Sequence, residues 1–483
     1  MLFLGYRTII ALIAVSGISD ASTTQEYDVA IVGGGLSGLS AAKDLVAAGK
    51  SAIVLEARDR VGGRILNAHL SNGGVTEAGA EFVGPTQDRV LQLAAELGLQ
   101  TFKAYNTGNT TFWNNGTRST FEPGGETGSI PPLDDASLAQ LASAQQKLDQ
   151  MASELDVNAP WNHPNATQWD SETFDTWIGR EAGLPTPRAL LTLASTSILS
   201  AEPRELSLLY VVSYIAAAGN ETEKGTLEGL TGVTNGAQES RIVGGTQLLA
   251  IKLAERLGSD KIVTNAPVRR IEKKDGNYLV TADNLTVNAK HVVVAMSPPL
   301  ASRIIYDPIL PAARDQLTQR MPMGSIGKAI AIYDTPFWRE DGLNGQVNSD
   351  SGVVRSTFDN SPPNATYGAI MGFIEADEMR QMDKLSEDDI KAAVTEDYVR
   401  YFGPKAANVK EWVIQRWDLE EFSRGGPVAI APPGVLSQYG PALREPFGNI
   451  HFAGTESSPY WTGYMDGAQR SGERAAKEIL ANF

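Results

Sequence analysis

The chain has 483 residues, 42% of them hydrophobic and 20% charged, which is typical of a soluble globular protein. This length exceeds what one hydrophobic core usually supports, so two domains are expected. The formal net charge of −16 argues against nucleic acid and anionic membrane as partners, and it is compatible with a cationic substrate. The absence of cysteine excludes disulfides and thiolate chemistry, and the four histidines show no metal-binding spacing.

The first 21 residues have the pattern of a secretory signal peptide. Arg7 precedes an apolar run over residues 9–18, and Ser19 and Ala21 occupy the small-residue positions of a cleavage site. The run is too short to cross a membrane. The alternative interpretations are a membrane anchor and a merely apolar N-terminal arm. Acceptor patterns for N-glycosylation agree with secretion, although chance alone supplies roughly half of them; they occur at Asn109, Asn115, Asn165, Asn220, Asn284 and Asn364.

The segment YDVAIVGGGLSGLSAAKDLVAAGKSAIVLEA, residues 27–57, predicts a β-α-β unit. Gly33, Gly35 and Gly38 form G-x-G-x-x-G at the strand-to-helix turn. In this pattern the first glycine permits a tight turn, the second admits a pyrophosphate and the third lets the helix pack on the strand. The helix N-terminus attracts phosphate, and Glu56 can accept hydrogen bonds from ribose hydroxyls. The unit therefore predicts a dinucleotide site.

The continuation EARDRVGGRI, residues 56–65, indicates which dinucleotide binds. Arg58, Gly63 and Arg64 follow directly on Glu56. A nicotinamide cofactor has no need of this second cluster, whereas a flavin dinucleotide has a ribityl chain and a larger ring to be held. A solvated basic loop is the alternative interpretation.

The remaining pattern alternates between helices and strands, which predicts a sheet whose pieces are interrupted by a second domain. The predicted elements are helices over 85–97, 136–155, 195–217 and 245–257, a surface excursion over 107–128, and short strands over 261–295 with a hairpin at residues 275–276.

Together these motifs resemble the flavin-dependent amine oxidases of the monoamine oxidase type, from residue 27 to residue 480. The resemblance rests on IVGGGLSGLSAA, LEARDRVGGR, GAEFVGPTQDRVLQLAAELGL, TNGAQESRIVGG, MPMGSIGKAI, PFWR, PPGVLSQYG and IHFAGTESSPYWTGYMDGAQRSGERAA. It implies an α/β fold, in which a discontinuous Rossmann-like FAD-binding domain lies beside an α+β mixed-sheet substrate domain. The expected FAD-binding segments are 27–103, 243–295 and 421–483, and the substrate segments are 104–242 and 296–420.

By the same resemblance, the last helix begins beneath the flavin, and its dipole stabilises negative charge on the reduced ring. Gly454 and Glu456 then approach the cofactor chain, Gly463 and Met465 lie against the ring, and Tyr464 stands over its substrate face. The neighbouring Trp461 is either part of this site or an ordinary buried aromatic residue.

Three further positions follow singly from the resemblance. The backbone of Val268 is expected to meet the adenine, Trp417 to pack near the flavin and Gln238 to line the substrate cavity. Ordinary packing is the alternative for each.

The sequence departs from the family pattern at three positions. Pro427 stands where the monoamine oxidases have a flavin-linked cysteine, so FAD is expected to be noncovalent. Val428 replaces an aromatic residue that pairs with the equivalent of Tyr464 in a substrate cage. Arg303 aligns with a lysine that reaches the flavin N5 through a water, and an arginine cannot act as a base.

The expected activity is hydride removal from the α-carbon of an amine, with O₂ as acceptor and an imine or aldehyde and H₂O₂ as products. One alternative is a dehydrogenase or oxidative cyclase of bulky nitrogen-containing secondary metabolites, and another is a flavin-binding protein without turnover. The expected location is the secretory pathway or the exterior, with no membrane span after signal removal. A homodimer is compatible with the family.

Overall fold

The computed structural model of the protein describes residues 25–124 and 130–483. The segment with the predicted signal peptide, residues 1–21, lies outside the described residues. Every residue named above as a site candidate lies within them.

The described strands form two large sheets and two short pairs. In chain order they are β1 Gln25–Val32, β2 Ala52–Leu55, β3 Asn67–His69, β4 Val75–Glu77, β5 Thr101–Lys103, β6 Asn109–Asn114, β7 Thr117–Phe121, β8 Ser240–Ile242, β9 Ile262–Val263, β10 Val268–Lys274, β11 Asn277–Ala282, β12 Thr286–Ala295, β13 Ile305–Asp307, β14 Ile326–Tyr333, β15 Leu343–Ser349, β16 Ser356–Asp359, β17 Gly368–Glu375, β18 Glu411–Arg416 and β19 Ile450–Ala453.

Helices cover both sheets. The α-helices are α1 Leu36–Ala47, α2 Asp88–Glu96, α3 Asp135–Glu154, α4 Ala166–Trp169, α5 Phe174–Glu181, α6 Pro185–Leu199, α7 Leu208–Ala216, α8 Leu227–Thr231, α9 Gln247–Leu257, α10 Pro298–Ala301, α11 Ala312–Arg320, α12 Ala376–Met382, α13 Glu387–Phe402, α14 Leu436–Tyr439 and α15 Met465–Leu480. Short 3₁₀ helices lie at Pro160–Asn162, Pro203–Glu205, Ser259–Lys261, Phe337–Arg339, Pro404–Ala407, Trp417–Leu419, Gly440–Leu443 and Thr455–Ser457.

The first sheet has the order β13-β10-β11-β12-β1-β2-β9, and β19 also pairs with β12. Strands β2, β1, β12 and β19 run parallel, with Val29 opposite Ala52 on one side and His291 on the other. The β-branched runs of β1 and β2 are buried because α1 and α15 cover one face of the sheet. The sheet collects strands from distant parts of the chain and includes β13, which falls within the expected substrate segment 296–420.

The second sheet is mixed, with the order β18-β14-β17-β16-β15-β6-β7. Its β6–β7 hairpin occupies the region expected to be a surface excursion, so that prediction was wrong. The Thr and Asn residues of β6 concealed a strand that pairs in parallel with β15 and buries Thr111 and Phe112. Polar residues at alternate positions are compatible with a strand that has one face buried.

A helical layer built from α3 to α8 packs over the second sheet and contributes a large apolar core. The predicted helix over 195–217 is two helices, because Ser200 has φ +52° and Pro203 begins a separate 3₁₀ turn. The architecture confirms the α/β fold class, a parallel-centred sheet beside a mixed one. Among the described residues, no helix combines the length and apolar character that a bilayer crossing requires.

Candidate active site

A cavity of about 1170 Å³ extends from the glycine turn after β1 to the space between the second sheet and the helical layer. Gly33 and Gly35 line it in the first region, and Ser197, Phe358 and Phe373 line it in the second. One continuous space therefore joins the predicted dinucleotide site to the predicted substrate domain.

The glycine turn has three different steric requirements. Gly33 has φ +108°, and a Cβ there would lie 2.6 Å from the carbonyl oxygen of Ala295. A Cβ on Gly38 would lie 2.0 Å from the carbonyl oxygen of Gly33, so α1 can approach β1 only with glycine at this position. A Cβ on Gly35 would meet no atom within 4 Å, and this residue lines the cavity just before α1 begins. Gly33 and Gly38 thus permit the fold, while Gly35 leaves space for a ligand.

Glu56 is buried at the end of β2, on the cavity wall. Its Oε2 accepts from the backbone N–H of Gly34 at 2.6 Å, and its Oε1 accepts from that of Arg58 at 2.9 Å. Each carboxylate oxygen keeps a further lone pair for a ligand hydroxyl. The Arg58 Nη2 donates to Ser423 Oγ at 2.8 Å, which ties the first motif to the C-terminal segment.

Arg64 makes a second such connection. Its guanidinium donates to Glu456 Oε1 at 2.8 Å and to the carbonyl oxygen of Pro427 at 2.5 Å. Glu456 also accepts from the N–H of Ala429 at 3.2 Å, and it does not line the main cavity. The structure therefore places Arg64 and Gly63 on the cavity wall, with Glu456 behind them as the residue that positions Arg64.

The last helix begins at the cavity. Tyr464 precedes α15 in extended conformation, and Gly463 has φ +87°. Thr455 Oγ1 accepts from the N–H of Gly463 at 2.7 Å and donates to the carbonyl oxygen of Tyr464 at 2.9 Å. With Gly454, Gly463, Tyr464 and Met465 on the wall, the positive end of the helix dipole faces the cavity.

Tyr464 belongs to an aromatic cluster. The Trp461 ring meets it edge-on with ring centroids 4.9 Å apart, and the Tyr214 ring lies 6.2 Å away on the cavity wall. Burial raises the pKa of Tyr464 above its ordinary value, so its hydroxyl stays protonated. Trp461 does not line the cavity, and its Nε1 donates to the carbonyl oxygen of Thr86 at 3.0 Å. This arrangement makes Trp461 a packing residue that supports Tyr464.

Val428 does not occupy the second position of a cage. It is completely buried among the helices and does not line the cavity, although Pro427 does. The aromatic ring beside Tyr464 on the wall belongs instead to Tyr214 of α7. Tyr214 was not predicted from the sequence because it lies in a helix that is apolar on all sides. In such a helix an aromatic residue that lines a cavity has the same pattern as one that packs in the core.

Arg303 lies exposed at the rim of the cavity, where its Nη1 approaches the carbonyl oxygen of Glu421 at 3.4 Å. Lys328 of β14 is instead the buried lysine on the wall. Its Nζ donates to Glu81 Oε2 at 2.7 Å and to the carbonyl oxygen of Glu77 at 3.1 Å. This lysine lies in the MPMGSIGKAI motif and was not predicted as a site residue, although a charged residue inside an apolar strand is itself a signal.

Lys328 is part of a buried network that balances two cations with two carboxylates. The Arg241 Nη2 donates to Glu77 Oε2 at 2.5 Å, and its Nε lies 3.2 Å from Glu81 Oε1. All four side chains are at most 5% exposed. Burial raises the pKa of the Glu77 carboxyl while Arg241 opposes that shift. The network joins the short strands β4 and β8 to β14 of the second sheet.

The three singly predicted residues all line the cavity. Val268 begins β10, and Trp417 is buried with its Nε1 donating to the carbonyl oxygen of Ala78 at 3.0 Å. Gln238 donates from Nε2 to the carbonyl oxygen of Leu230 at 3.3 Å.

Several buried polar atoms on the wall have no partner within the described residues. They are the Oε1 of Gln238, the hydroxyl of Tyr214 and the Oγ of Ser297. Buried polar groups are normally hydrogen-bonded, so unpartnered ones along a cavity indicate a polar ligand. Together with the open space at Gly35 and the helix N-termini, they fit a dinucleotide whose ring end lies at Tyr464.

Comparison with known proteins agrees with this geometry. Residues 36–480 match the family model described as flavin containing amine oxidoreductase. A flavin-containing amine oxidase of Oncorhynchus mykiss is 37% identical over 459 residues, which cover 94% of this chain and 86% of the relative. A putrescine oxidase structure bound to putrescine superposes with a TM-score of 0.89 at 34% identity, covering 95% of this chain and 100% of that chain. The cyclohexylamine oxidase of Brevibacterium oxydans IH-35A has a TM-score of 0.88 at 34% identity, covering 94% and 99%.

Proposed function

Since the chain belongs to the flavin containing amine oxidoreductase family, we propose that it is an FAD-dependent oxidase of amines. The observation that carries this proposal is the shared cavity: the glycine turn after β1, the N-terminus of α15 and Tyr464 all face it. A dinucleotide held by the first two elements has its reactive ring beside the third. The product is an imine that hydrolyses to an aldehyde, with H₂O₂ formed from O₂.

FAD supplies the acceptor for the hydride and the route of its electrons to oxygen. We assign its binding to Gly33, Gly35, Glu56, Arg58 and Arg64 at the nucleotide end, and to Trp417, Gly463 and Met465 near the ring. The chain has no cysteine, which excludes a thioether to the flavin, and we propose that the cofactor is bound noncovalently.

The chain's own contribution to catalysis is orientation, charge and exclusion of water. Tyr464 and Tyr214 present an aromatic wall that holds a neutral amine, and their buried hydroxyls remain protonated. We assign to Lys328 the role of holding a water near the flavin, which the resemblance had given to Arg303, because Lys328 is buried at the wall whereas Arg303 is exposed. The Nζ ammonium has three N–H donors. One donates to Glu81 and one to the carbonyl oxygen of Glu77, which leaves the third for a water.

We also propose that the protein enters the secretory pathway. The signal pattern over residues 1–21 supports this, and four of the six glycosylation patterns have exposed asparagines, at Asn115, Asn165, Asn284 and Asn364. Treatment of the purified native protein with an N-glycosidase is expected to lower its apparent mass. An unchanged mass together with an intact residue 1 would contradict this location.

Anaerobic mixing with amines tests the activity. The holoenzyme is mixed with primary, secondary and polyamines, and bleaching of the visible flavin band is followed. We expect bleaching by at least one amine class and rapid recovery when air is admitted. A band that resists every amine but bleaches with dithionite would overturn the proposal and favour a larger metabolite as substrate.

Replacement of Tyr464 by leucine tests the site. We expect Tyr464→Leu to retain FAD and lose about tenfold or more in the rate constant for flavin reduction, because it removes an orienting contact. The matched control is Tyr439→Leu, a tyrosine that packs against the helical core without lining the cavity. Equal reduction rates in the two variants would place the amine elsewhere.

A further inference from the structure

Tyr464 follows a turn whose backbone is partly left-handed. Trp461 has φ +50° and Gly463 has φ +87°, so two of the three residues before Tyr464 lie in the left-handed region. Glycine adopts this conformation freely, and a Cβ on Gly463 would in addition lie 2.1 Å from the hydroxyl oxygen of Tyr214. A bulky aromatic residue such as Trp461 adopts a positive φ only under strain. The turn therefore needs contacts that hold it in this shape.

Trp461 supplies the contacts at the start of the turn. Its backbone N–H donates to the carbonyl oxygen of Ala217 at 2.7 Å, and its Nε1 donates to that of Thr86 at 3.0 Å. Its own carbonyl oxygen accepts from the N–H of Tyr464 at 3.0 Å. These hydrogen bonds fix where the turn begins, and they leave the N–H of Gly463 and the carbonyl oxygen of Tyr464 to other partners.

One hydroxyl holds the end of the turn. Thr455 Oγ1 accepts from the N–H of Gly463 at 2.7 Å and donates to the carbonyl oxygen of Tyr464 at 2.9 Å. The carbonyl oxygen of Trp461 is farther from this hydroxyl, at 3.5 Å. A hydroxyl has one donor and two acceptor lone pairs, so the two shorter hydrogen bonds use it once as a donor and once as an acceptor. Thr455 thus holds the backbone on both sides of the Tyr464 Cα.

Thr455 is itself anchored to the helices beside the glycine turn. The N–H of Gly454, the residue before it, donates to Ser37 Oγ of α1 at 3.0 Å and to Ser471 Oγ of α15 at 3.1 Å. These two serine hydroxyls are 2.8 Å apart, and Ser37 lines the cavity just after the glycine turn. Hydrogen bonds and one peptide unit therefore connect the start of α1 to the backbone of Tyr464.

The direction of the Tyr464 side chain depends on this hold. Its Cα–Cβ bond is set by the backbone that Thr455 fixes, and its ring then meets the Trp461 ring edge-on with centroids 4.9 Å apart. A group that orients a substrate must be held to within about 0.5 Å. Misplacement by about 1 Å can lower a reaction rate about 100-fold. A hydroxyl that acts only on the backbone can therefore change the rate of the reaction.

We propose that Thr455 is a positioning residue, whose hydroxyl sets the direction of the Tyr464 side chain and so the orientation of the amine. This rests on the proposed function, in which Tyr464 holds the amine beside the flavin. The contribution requires a hydroxyl rather than a particular side-chain volume, which distinguishes it from packing.

Thr455→Val tests the proposal, since valine has nearly the shape of threonine and lacks the hydroxyl. The holoenzyme is reduced anaerobically by the amine that bleaches the wild-type flavin fastest. We expect the limiting rate constant for flavin reduction to fall about tenfold or more, and the Kd for the amine to change less than about threefold, because orientation is lost rather than the binding surface. Thr455→Ser keeps the hydroxyl and should stay within about threefold of the wild-type rate constant.

The matched control is Thr318→Val in α11. Thr318 is also buried, its hydroxyl donates to the carbonyl oxygen of Asp315 at 2.8 Å, and it does not line the cavity. This variant should reduce its flavin at the wild-type rate even if its Tm falls as much as that of Thr455→Val. Equal losses in Thr455→Ser and Thr455→Val, or a Thr455→Val variant that loses FAD instead of rate, would overturn the positioning role.

Crystal structures of the oxidised holoenzymes without amine distinguish this inference from the proposed activity. We expect the Tyr464 ring of Thr455→Val to be displaced from its wild-type position by more than about 0.5 Å, and that of Thr455→Ser to remain in place. This displacement in an enzyme that no amine reduces would support the hold on Tyr464 and refute amine oxidation. Reduction by amines together with an unmoved ring in Thr455→Val would refute the positioning role alone.

Discussion

The two ends of the cavity are built by different means. The dinucleotide end is made of backbone: Gly33, Gly35 and Gly63 lie close to one another, and the N-termini of α1 and α15 face the same space. The amine end is made of single side chains, such as Tyr214, Lys328 and Phe373, each contributed by a different element.

This difference follows from what each end must recognise. A pyrophosphate is held by N–H groups and dipoles that every dinucleotide enzyme can supply from one short turn, so the residues that matter are consecutive. An amine with a particular body is held by shape and a few placed charges, which can come from any part of the chain that folds to the wall.

The largest expected effect concerns the buried ion-pair network around Lys328, at the amine end of the cavity. Within the described part of the chain, Arg241→Leu leaves Glu77 and Glu81 with Lys328 as their only paired buried cation. Uncompensated buried charge is costly, so the free energy of unfolding should fall by about 3–5 kcal/mol. Urea denaturation of the apoprotein at pH 7 measures the change.

Arg269→Leu is the matched control. Arg269 makes two hydrogen bonds to Asp283, with both side chains about half exposed at 52% and 51%. Its loss should cost less than about 1 kcal/mol, because water screens and replaces the pair. Similar small costs for Arg241 and Arg269 would mean that burial does not make the Arg241 network more important for stability than an exposed ion pair.

The next effect separates the glycine that leaves space for a ligand, Gly35, from the glycines that permit the fold. Gly35→Ala adds a methyl group only to open cavity space, so the apoprotein should unfold as the wild type does. The methyl group then occupies space needed by the dinucleotide, which we expect to raise the Kd for FAD about 10- to 100-fold. Flavin titration followed by fluorescence measures the change.

Gly38→Ala should act first on the stability of the apoprotein rather than on the Kd for FAD. Its Cβ would collide with the carbonyl oxygen of Gly33, so the apoprotein itself loses stability before any flavin is added. Equal apoprotein stability in the Gly35 and Gly38 variants would remove the distinction between a glycine that permits the fold and one that leaves space for the ligand.

These contrasts explain how much could be predicted from the sequence. The β-α-β unit followed from local patterns, because it depends on residues close together in the chain, whereas the α/β fold class and the position of α15 were implied by the family resemblance. The hairpin of β6 and β7 did not, since its Thr and Asn residues resemble a surface loop until β15 is known to lie beside them.

The amine end shows the same limit at the level of single residues. Alignment of one segment assigned the family's lysine position to Arg303, and no local pattern could indicate that this side chain is exposed where it lines the cavity. Lys328 and Phe373 belong to neighbouring strands whose register brings them to one face, and that register is set by pairing over the complete length of β14 and β17.

A smaller effect concerns His291 of the first sheet, whose contribution to stability depends on pH. Burial, reinforced by the charge of His451, lowers the pKa of His291 from 6.5 to about 4. The unfolded chain therefore binds this proton first, so its contribution to stability is complete above pH 6.5 and is lost as the pH falls through 4. We expect His291→Leu to reduce the loss of stability between pH 6.5 and 4 by about 1–2 kcal/mol, measured by urea denaturation. The exposed His69→Leu should leave that loss unchanged.

The smallest effect concerns Asp383, beside the second sheet. Its contribution to stability changes with pH in the opposite direction to that of His291. Burial and the neighbouring Asp418 raise the pKa of Asp383 from 3.8 to about 6, and its Oδ1 lacks a partner within the described residues. Ionisation is disfavoured in the folded state, so this group reduces stability as the pH rises from 3.8 through 6. Asp383→Asn should raise the free energy of unfolding by about 1 kcal/mol at pH 7, after allowance for partial exposure, and leave it unchanged at pH 3.5. Asp388→Asn, on the exposed face of α13, should change neither value. A loss of stability in Asp383→Asn at pH 7 would mean that the carboxylate is held by a favourable contact, and the two sheets would then respond to acid in the same direction.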